Sequence, residues 1–151
     1  MDGGISLADL IESPSVQVME FTMTEGRHEI HSELTSKVIS QSIFPNTVDE
    51  VMDLKGHIQV VDQILEKANL SYTYCIVYVT GLTILLQALY ISWMKRISAI
   101  DQPSFRGKLI LAHRDRQSQS YKLFCSQTGE CIEVESLSNL IENTFLDSTI
   151  V

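Results

Sequence analysis

The pattern of apolar and polar positions along the chain is dominated by one long uncharged stretch, residues 70–94. It contains no Asp, Glu, Lys, Arg or His, and Lys95 and Arg96 follow it directly. An α-helix rises about 1.5 Å per residue, so about 20 residues cross a hydrocarbon core roughly 30 Å thick. The stretch therefore predicts a single transmembrane helix. Aromatic residues with polar tips, which suit the headgroup level of a bilayer, lie towards its two ends: Tyr72, Tyr74, Tyr90 and Trp93.

The same stretch has a second interpretation, because its first half is rich in Tyr, Thr, Val and Ile. This composition is typical of a β-strand over residues 70–80. Gly81 would then end the strand, and residues 82–97 would form a helix buried in a soluble domain. The length of the uncharged stretch, and the aromatic and basic residues at its ends, favour the membrane interpretation. We therefore expect a mainly α protein with a single transmembrane helix and a small C-terminal αβ unit, with a soluble α+β single domain as the alternative.

Residues 47–69 show the most regular periodicity in the chain. Apolar residues recur at alternating steps of three and four, and the same register continues through the uncharged stretch as far as Ile97. This spacing is typical of a heptad seam, although an amphipathic helix packed on its own domain shows the same pattern. The seam predicts a homo-oligomer built on one continuous helix over residues 47–97. Its self-association positions are Val51, Leu54, Ile58, Val61 and Leu65.

The two flanking regions contain shorter patterns. Residues 1–46 are expected to be an acidic N-terminal region, and residues 95–151 a small cytoplasmic αβ unit with a C-terminal tail. In the second region, Gly129 marks the turn of a hairpin between two short apolar runs. Strands are expected at residues 16–24, 108–112, 121–125 and 131–134.

The chain is acidic, with a net charge of −8, but the charge is uneven. Residues 1–69 carry 12 acidic and 4 basic residues, whereas residues 95–122 carry 7 basic and 2 acidic residues. An acidic chain argues against nucleic acid as a partner, because duplex binding needs a basic face. By the positive-inside rule, the C-terminal side of the anchor is cytoplasmic and the N-terminal side is outside. The alternative is a basic loop on a cytoplasmic soluble protein.

Candidate ligand and redox residues are few. Cys125 and Cys131 flank the predicted turn and could face each other closely enough for a disulfide, which the cytoplasm would keep reduced. Their separation is not the usual close spacing of zinc ligands. His28 and His31 have the spacing of a metal pair, but no third His or Cys lies near them in sequence. The sequence therefore predicts no metal site and no cofactor.

Catalytic motifs are also missing from the sequence: it contains no G-x-S-x-G, P-loop, H-E-x-x-H or C-x-x-C pattern, so we do not expect an enzyme. The chain ends in Thr149-Ile-Val151, which resembles the C-terminal ligands of PDZ-type domains. These features favour a single-pass membrane protein that binds or scaffolds partners, or acts as an accessory subunit, and associates with itself. The alternative is a soluble α+β protein-interaction module, which could also be a homo-oligomer.

Overall fold

The computed structural model describes residues 17–24, 29–45, 48–67, 73–80, 83–99 and 107–139. Within these ranges the elements, in chain order, are β1 (Gln17–Thr24), β2 (Ser42–Phe44), α1 (Leu54–Glu66), β3 (Thr73–Tyr78), α2 (Thr83–Ser98), β4 (Lys108–Asp115), β5 (Ser120–Cys125) and β6 (Cys131–Ile132). A short helix at residues 134–139 follows β6.

The strands form one six-stranded mixed sheet in the order β2-β1-β3-β4-β5-β6. The first four strands in that order are parallel, and β5 and β6 continue the sheet antiparallel. Parallel neighbours need crossover connections, and α1 and α2 lie in the connections that lead into β3 and β4. The protein is therefore an α/β fold, and the expectation of a mainly α protein is wrong.

The predicted transmembrane helix over residues 70–94 is also wrong, because the structure divides this stretch into β3 and α2. Helix α2 has 16 residues, and within the described ranges no helix is both long and apolar enough to cross a membrane. The prediction failed for a physical reason. A parallel strand buried on both faces reads as a continuous apolar run, and here it adjoins a core helix. The predicted orientation across a membrane depended on this helix and loses its basis.

The basic pair after the uncharged stretch binds α1 rather than marking a membrane boundary. Lys95 Nζ lies 2.8 Å from a carboxylate oxygen of Asp62, and Arg96 Nη2 lies 2.9 Å from Glu66 Oε1. Trp93, one turn earlier in α2, is fully buried. The end chemistry that favoured a membrane is therefore the chemistry of two packed helices.

The predicted aromatic ends of the anchor are separated in the fold. Tyr74 lies in β3, where Lys108 Nζ is 5.8 Å from the centroid of its ring. Tyr90 lies on α2 with 39% of its surface exposed. Tyr72 lies outside the described residues.

The predicted heptad seam is the inner face of a helix that packs within its own chain. Val61 and Leu65 are buried in the core between the sheet and α2, and Leu54 and Ile58 are partly buried against it. Val51 precedes the helix, and its carbonyl oxygen accepts a hydrogen bond from His57 Nε2 at 2.8 Å. Since β3 separates α1 from α2, the continuous helix and the coiled coil are wrong.

Two apolar cores lie on opposite faces of the sheet. On the helix side, α1 and α2 pack over alternate residues of the central strands, such as Phe21, Val77 and Leu109. On the other side, residues 29–41 and the helix at residues 134–139 cover the core. We call residues 29–41 the covering segment. The buried members of this second core are Ile76, Tyr78, Ile110, Ala112, Leu123 and Leu137.

Several local predictions are confirmed. Strands occupy residues 17–24 and 108–115, and Gly129 has the left-handed φ of +76° in the connection between β5 and β6. The expected approach of the two hairpin cysteines is wrong, because Cys131 lies opposite Phe124 rather than Cys125. Neighbouring residues of a strand point to opposite faces, so the two thiols lie on different sides of the sheet and both are free.

Candidate functional site

Two of the concave surfaces formed by the described residues lie on opposite sides of the sheet, at the margins of its two coverings. The first, the polar cleft, is lined by the covering segment and the β4–β5 hairpin: Glu29, Ile30, His31, Ser32, Glu33, Ser36, Arg114, Gln119 and Tyr121. The second, the apolar groove, is lined by α2 and β4: Thr83, Leu86, Gln87, Tyr90, Leu109 and Leu111.

A hydrogen-bond network at Glu20 fixes the covering segment on the sheet. The Glu20 carboxylate accepts hydrogen bonds from Ser32 Oγ at 2.7 and 2.8 Å and from the Tyr78 hydroxyl at 2.9 Å. The Tyr78 hydroxyl in turn accepts from the backbone N–H of Glu33 at 2.9 Å. Burial raises the pKa of Tyr78 far above its usual value, so the hydroxyl stays a neutral donor. The covering segment, which forms one wall of the polar cleft, is therefore held by specific polar contacts.

The covering segment turns tightly around Ser32. Its hydroxyl oxygen accepts from the N–H groups of Leu34 and Thr35 at 3.0 and 3.1 Å, and its own N–H donates to the carbonyl of Lys37 at 2.8 Å. Ser36 closes the turn with a left-handed φ of 63°. Serine favours such turns because its short side chain can bond to nearby backbone groups.

The hairpin between β4 and β5 forms the other wall of the polar cleft. Arg114 lies opposite Tyr121 in the strand register, with its guanidinium carbon 5.6 Å from the centroid of that ring. The Tyr121 backbone N–H donates to Glu33 Oε1 at 2.8 Å, which joins this wall to the covering segment. At the hairpin tip, Gln119 has a left-handed φ of 55°. The two walls are thus connected directly.

The polar cleft encloses about 670 Å³, within the range of about 300–1,000 Å³ typical of small-molecule sites. Its exposed charged side chains carry both signs, Glu29 on one wall and Arg114 on the other. Burial raises the pKa of Tyr121, and the Arg114 charge lowers it in part, while the Glu33 charge adds to the rise. The cleft therefore offers an acidic and a basic side chain together with the aromatic ring of Tyr121.

The apolar groove exists because α2 leaves the helix-facing side of β4 partly open. Leu85, Leu89 and Trp93 of α2 are buried towards the core, whereas Leu86 and Tyr90 lie one turn apart on its flank. They face Leu109 and Leu111 across an opening of about 290 Å³. The groove thus lies at the edge of the helix layer, between α2 and β4.

The groove continues along the sheet towards the charged residues of the β4–β5 hairpin. Phe124 lies opposite Leu111, and Lys122 lies opposite His113, so all four share the helix-facing side of the hairpin. The His113 and Phe124 ring centroids are 5.9 Å apart. His113 and Lys122 are exposed, and we call this pair the basic end of the groove. Asp115 follows on the same face, where hydrogen bonds from Ser118 and Gln117 and the nearby Lys122 charge lower its pKa.

A third position is suggested by general rules for α/β sheets, which bind ligands outside the carboxyl ends of parallel strands where the strand order reverses. Here that point lies between β1 and β3. The described residues that follow β3, Val79 and Thr80, and the first residue of α2, Thr83, carry no charge. On the β1 side, the first described residue after the strand is Glu29, which belongs to the polar cleft, so this edge adds no separate candidate site within the described part of the chain.

The sequence-predicted site residues are not brought together. Tyr90 lines the apolar groove, the seam residues lie against the core, and Lys95 and Arg96 bind α1. Thr149 and Val151 lie outside the described residues, so the PDZ-type tail stays a prediction. Sequence reasoning missed both concave surfaces, because each combines elements that are far apart in the chain. The alternation of Leu109, Leu111 and His113 along one strand face was the only local signal.

Within the described ranges, no group of three or more His, Cys, Asp or Glu side chains is arranged to hold a metal ion. His31 lines the polar cleft, where its Nδ1 lies 3.2 Å from the carbonyl oxygen of Ser36, and His28 lies outside the described residues. The expectation that the protein is not an enzyme stays a prediction. Comparison of the chain with models of protein families, with curated proteins and with solved structures finds no match.

Proposed function

We propose that the protein is an interaction module that uses the apolar groove and its basic end to bind an acidic amphipathic segment of a partner protein. The observation that carries this proposal is the groove itself, where Leu86, Tyr90 and Leu111 lie open beside Phe124 at the edge of the helix layer. Tyr90 keeps 39% of its surface exposed although it belongs to a core helix. Tyrosine is enriched at interface hot spots, because it has a large apolar body and a polar tip.

The charge around the groove defines the partner. His113 and Lys122 lie at one end, and the N-terminus of α2, whose first turn contains no acidic residue, adds a partial positive charge there. Asp115, beyond His113 on the same face, offsets part of this charge. Carboxylates on a partner would be attracted to this end, while apolar side chains would fill the groove. Complementary charge mainly increases the association rate and the specificity, and burial of the apolar side chains would supply most of the affinity.

The proposal can be tested by selection from a displayed library of random peptides, with no knowledge of the natural partner. We expect the selected peptides to combine aromatic or aliphatic residues with Asp and Glu. Replacing Tyr90 with Ser should weaken their binding by about 1–3 kcal/mol, which is typical of a hot-spot residue. Met52→Ser is the matched control, since Met52 is 80% exposed and lies outside the groove.

Charge reversal tests the basic end separately. Lys122→Glu should slow association with the selected acidic peptides, whereas Lys55→Glu, an exposed position on α1, should change it much less. Selection of basic peptides, or equal binding by the Tyr90→Ser variant and the unmodified protein, would refute the proposal.

Sedimentation of the unmodified protein distinguishes a second copy of the chain from a different partner. The groove proposal expects a monomer whose sedimentation is unchanged by Tyr90→Ser. If the protein instead forms a dimer that Tyr90→Ser dissociates, the occupant of the groove is a second copy, and the proposed acidic partner is wrong.

A further inference from the structure

We propose that the polar cleft is a second binding site, which takes a small zwitterion of the amino-acid or dipeptide class. In this arrangement Arg114 pairs with the ligand carboxylate and Glu29 pairs with its ammonium group. The site lies on the opposite face of the sheet from the apolar groove, and the inference does not depend on the proposed function.

The charges on the two walls point to a ligand that carries both signs. Glu29 and Arg114 are exposed and line the same cleft. A ligand with only negative charge would be attracted by Arg114 but repelled by Glu29 and Glu33. A ligand with only positive charge would be attracted by the two carboxylates but would leave Arg114 without a partner. A molecule with one ammonium and one carboxylate group satisfies both walls.

Arg114 is available for this role. Its guanidinium group lies over the Tyr121 ring, and it makes no hydrogen bond or ion pair with the described residues. A guanidinium can stack on an aromatic ring and still present its planar set of N–H donors, which matches a carboxylate in a two-point contact. Glu33 is partly engaged, because its Oε1 already accepts from the Tyr121 N–H. Glu29 is therefore the more accessible carboxylate for the ammonium group.

The walls of the cleft are fixed before any ligand arrives. The Glu20–Ser32–Tyr78 contacts hold the covering segment, and the Glu33–Tyr121 hydrogen bond joins it to the hairpin. A preformed site avoids much of the entropy loss that ordering a loop would add to binding.

The backbone gives an independent indication. Within the described ranges, Ser36 and Gln119 are the two residues other than glycine with a positive φ, at 63° and 55°. One lies on each wall of the cleft. Glycine adopts this conformation without steric strain. Serine and glutamine occupy these two positions, although the backbone alone would favour glycine there. Both residues line the cleft, and each carries a side chain with hydrogen-bonding groups.

The ligand class can be tested by titrating the isotope-labelled protein with L-phenylalanine and with glycyl-L-phenylalanine, followed by amide chemical shifts. Two blocked analogues, N-acetyl-L-phenylalanine and L-phenylalaninamide, each lack one of the two charges. We expect saturable shifts at the cleft for at least one zwitterion, and binding weaker by about tenfold or more for both analogues. The comparison of the two zwitterions distinguishes a free amino acid from a dipeptide.

Variants assign the two charges. Arg114→Gln should weaken zwitterion binding by about tenfold or more, and Glu29→Gln should weaken the zwitterion but not the N-acetyl analogue. Arg116→Gln is the matched control, since Arg116 is exposed in the same hairpin but does not line the cleft. Tyr90→Ser should leave this binding unchanged, which separates it from the proposed function.

Three results would overturn the inference. They are the absence of saturable shifts at millimolar concentrations of either zwitterion, equal binding of the N-acetyl analogue, and equal losses from Arg114→Gln and Arg116→Gln. All the substituted residues are exposed, so the amide spectra of the variants should show an intact fold and keep each result interpretable.

Discussion

The two faces of the sheet are covered by different kinds of structure. On the helix side, α1 and α2 bury a continuous apolar core, and their ion pairs lie at the rim between them. On the other side, the covering segment has little regular structure, and its fixed points are the contacts of Ser32 and Glu33 with Glu20, Tyr78 and Tyr121. Packed helices thus cover one face, whereas on the other face partly buried Ile30, Leu34 and Ile39 and a set of specific hydrogen bonds hold the covering segment.

This difference has consequences for stability. Burial of apolar surface acts on the whole cooperative unit, because many residues share one core. A segment held by a few hydrogen bonds and a few partly buried apolar side chains can open locally while the sheet stays folded. We therefore expect mutations on the helix side to lower global stability and mutations at the Tyr78 network to release the covering segment first.

The largest effect is expected for Leu89→Ala. Leu89 is fully buried in the helix-side core, and truncating a buried leucine typically costs about 2–5 kcal/mol of unfolding free energy. Urea denaturation should show this loss, and hydrogen exchange should accelerate throughout the sheet. Gln87→Ala, at an exposed position on the same helix, should change stability by less than about 0.5 kcal/mol. Similar losses from both variants would show that α2 is not a core helix.

An intermediate and local effect is expected for Tyr78→Phe. The change removes the hydroxyl that donates to Glu20 and accepts from the Glu33 N–H, and leaving buried polar groups unpaired typically costs about 1–3 kcal/mol. Amide exchange should accelerate most at residues 33–35 of the covering segment.

Tyr74→Phe is the control for this local effect. Tyr74 lies in the same strand as Tyr78, but its hydroxyl makes no hydrogen bond with a described residue. It should leave exchange in the covering segment unchanged. If Tyr78→Phe instead accelerates exchange uniformly across both faces, the covering segment belongs to the same cooperative unit as the helices, and the contrast between the faces is wrong.

Much of the local structure could be predicted from the sequence. The strands at residues 17–24 and 108–115 and the turn at Gly129 follow from short patterns of alternation and turn residues. The division of residues 70–94 into a strand and a helix was predicted only as the alternative. A strand buried on both faces and a membrane span both read as an uninterrupted apolar run. The length of the apolar run alone could not distinguish a membrane span from a strand followed by a helix.

The arrangement of the sites could not be predicted, because it depends on pairs that are distant in the chain. Glu20 and Tyr78 are 58 residues apart, and Asp62 and Lys95 are 33 residues apart. Nothing in the local pattern around Glu20 indicates that its carboxylate anchors a segment on the sheet. The basic residues after α2 were interpretable only once α1 was known to lie beside them.

The smallest effect is expected for Asp62→Asn at the rim of the helix side. Desolvation by burial raises the pKa of Asp62, but hydrogen bonds from Lys95 and Ser92 and the charges of Lys95 and Arg96 outweigh it, so the pKa is lowered. The folded state therefore favours the carboxylate. The stabilisation from the Asp62 carboxylate is present above the pKa of the unfolded state, about 4. It is lost as the pH falls through the lower pKa of the folded state.

At neutral pH, Asp62→Asn should cost about 0.5–1.5 kcal/mol, because asparagine can still accept from Ser92 but loses the attraction to Lys95 and Arg96. The difference from the unmodified protein should shrink as the pH falls below about 4. Asp49→Asn is the control, since Asp49 is exposed and has no ion pair with the described residues. Urea denaturation at a series of pH values measures both. A difference that does not change with pH would mean that Asp62 acts through its hydrogen bond to Ser92 rather than through its charge.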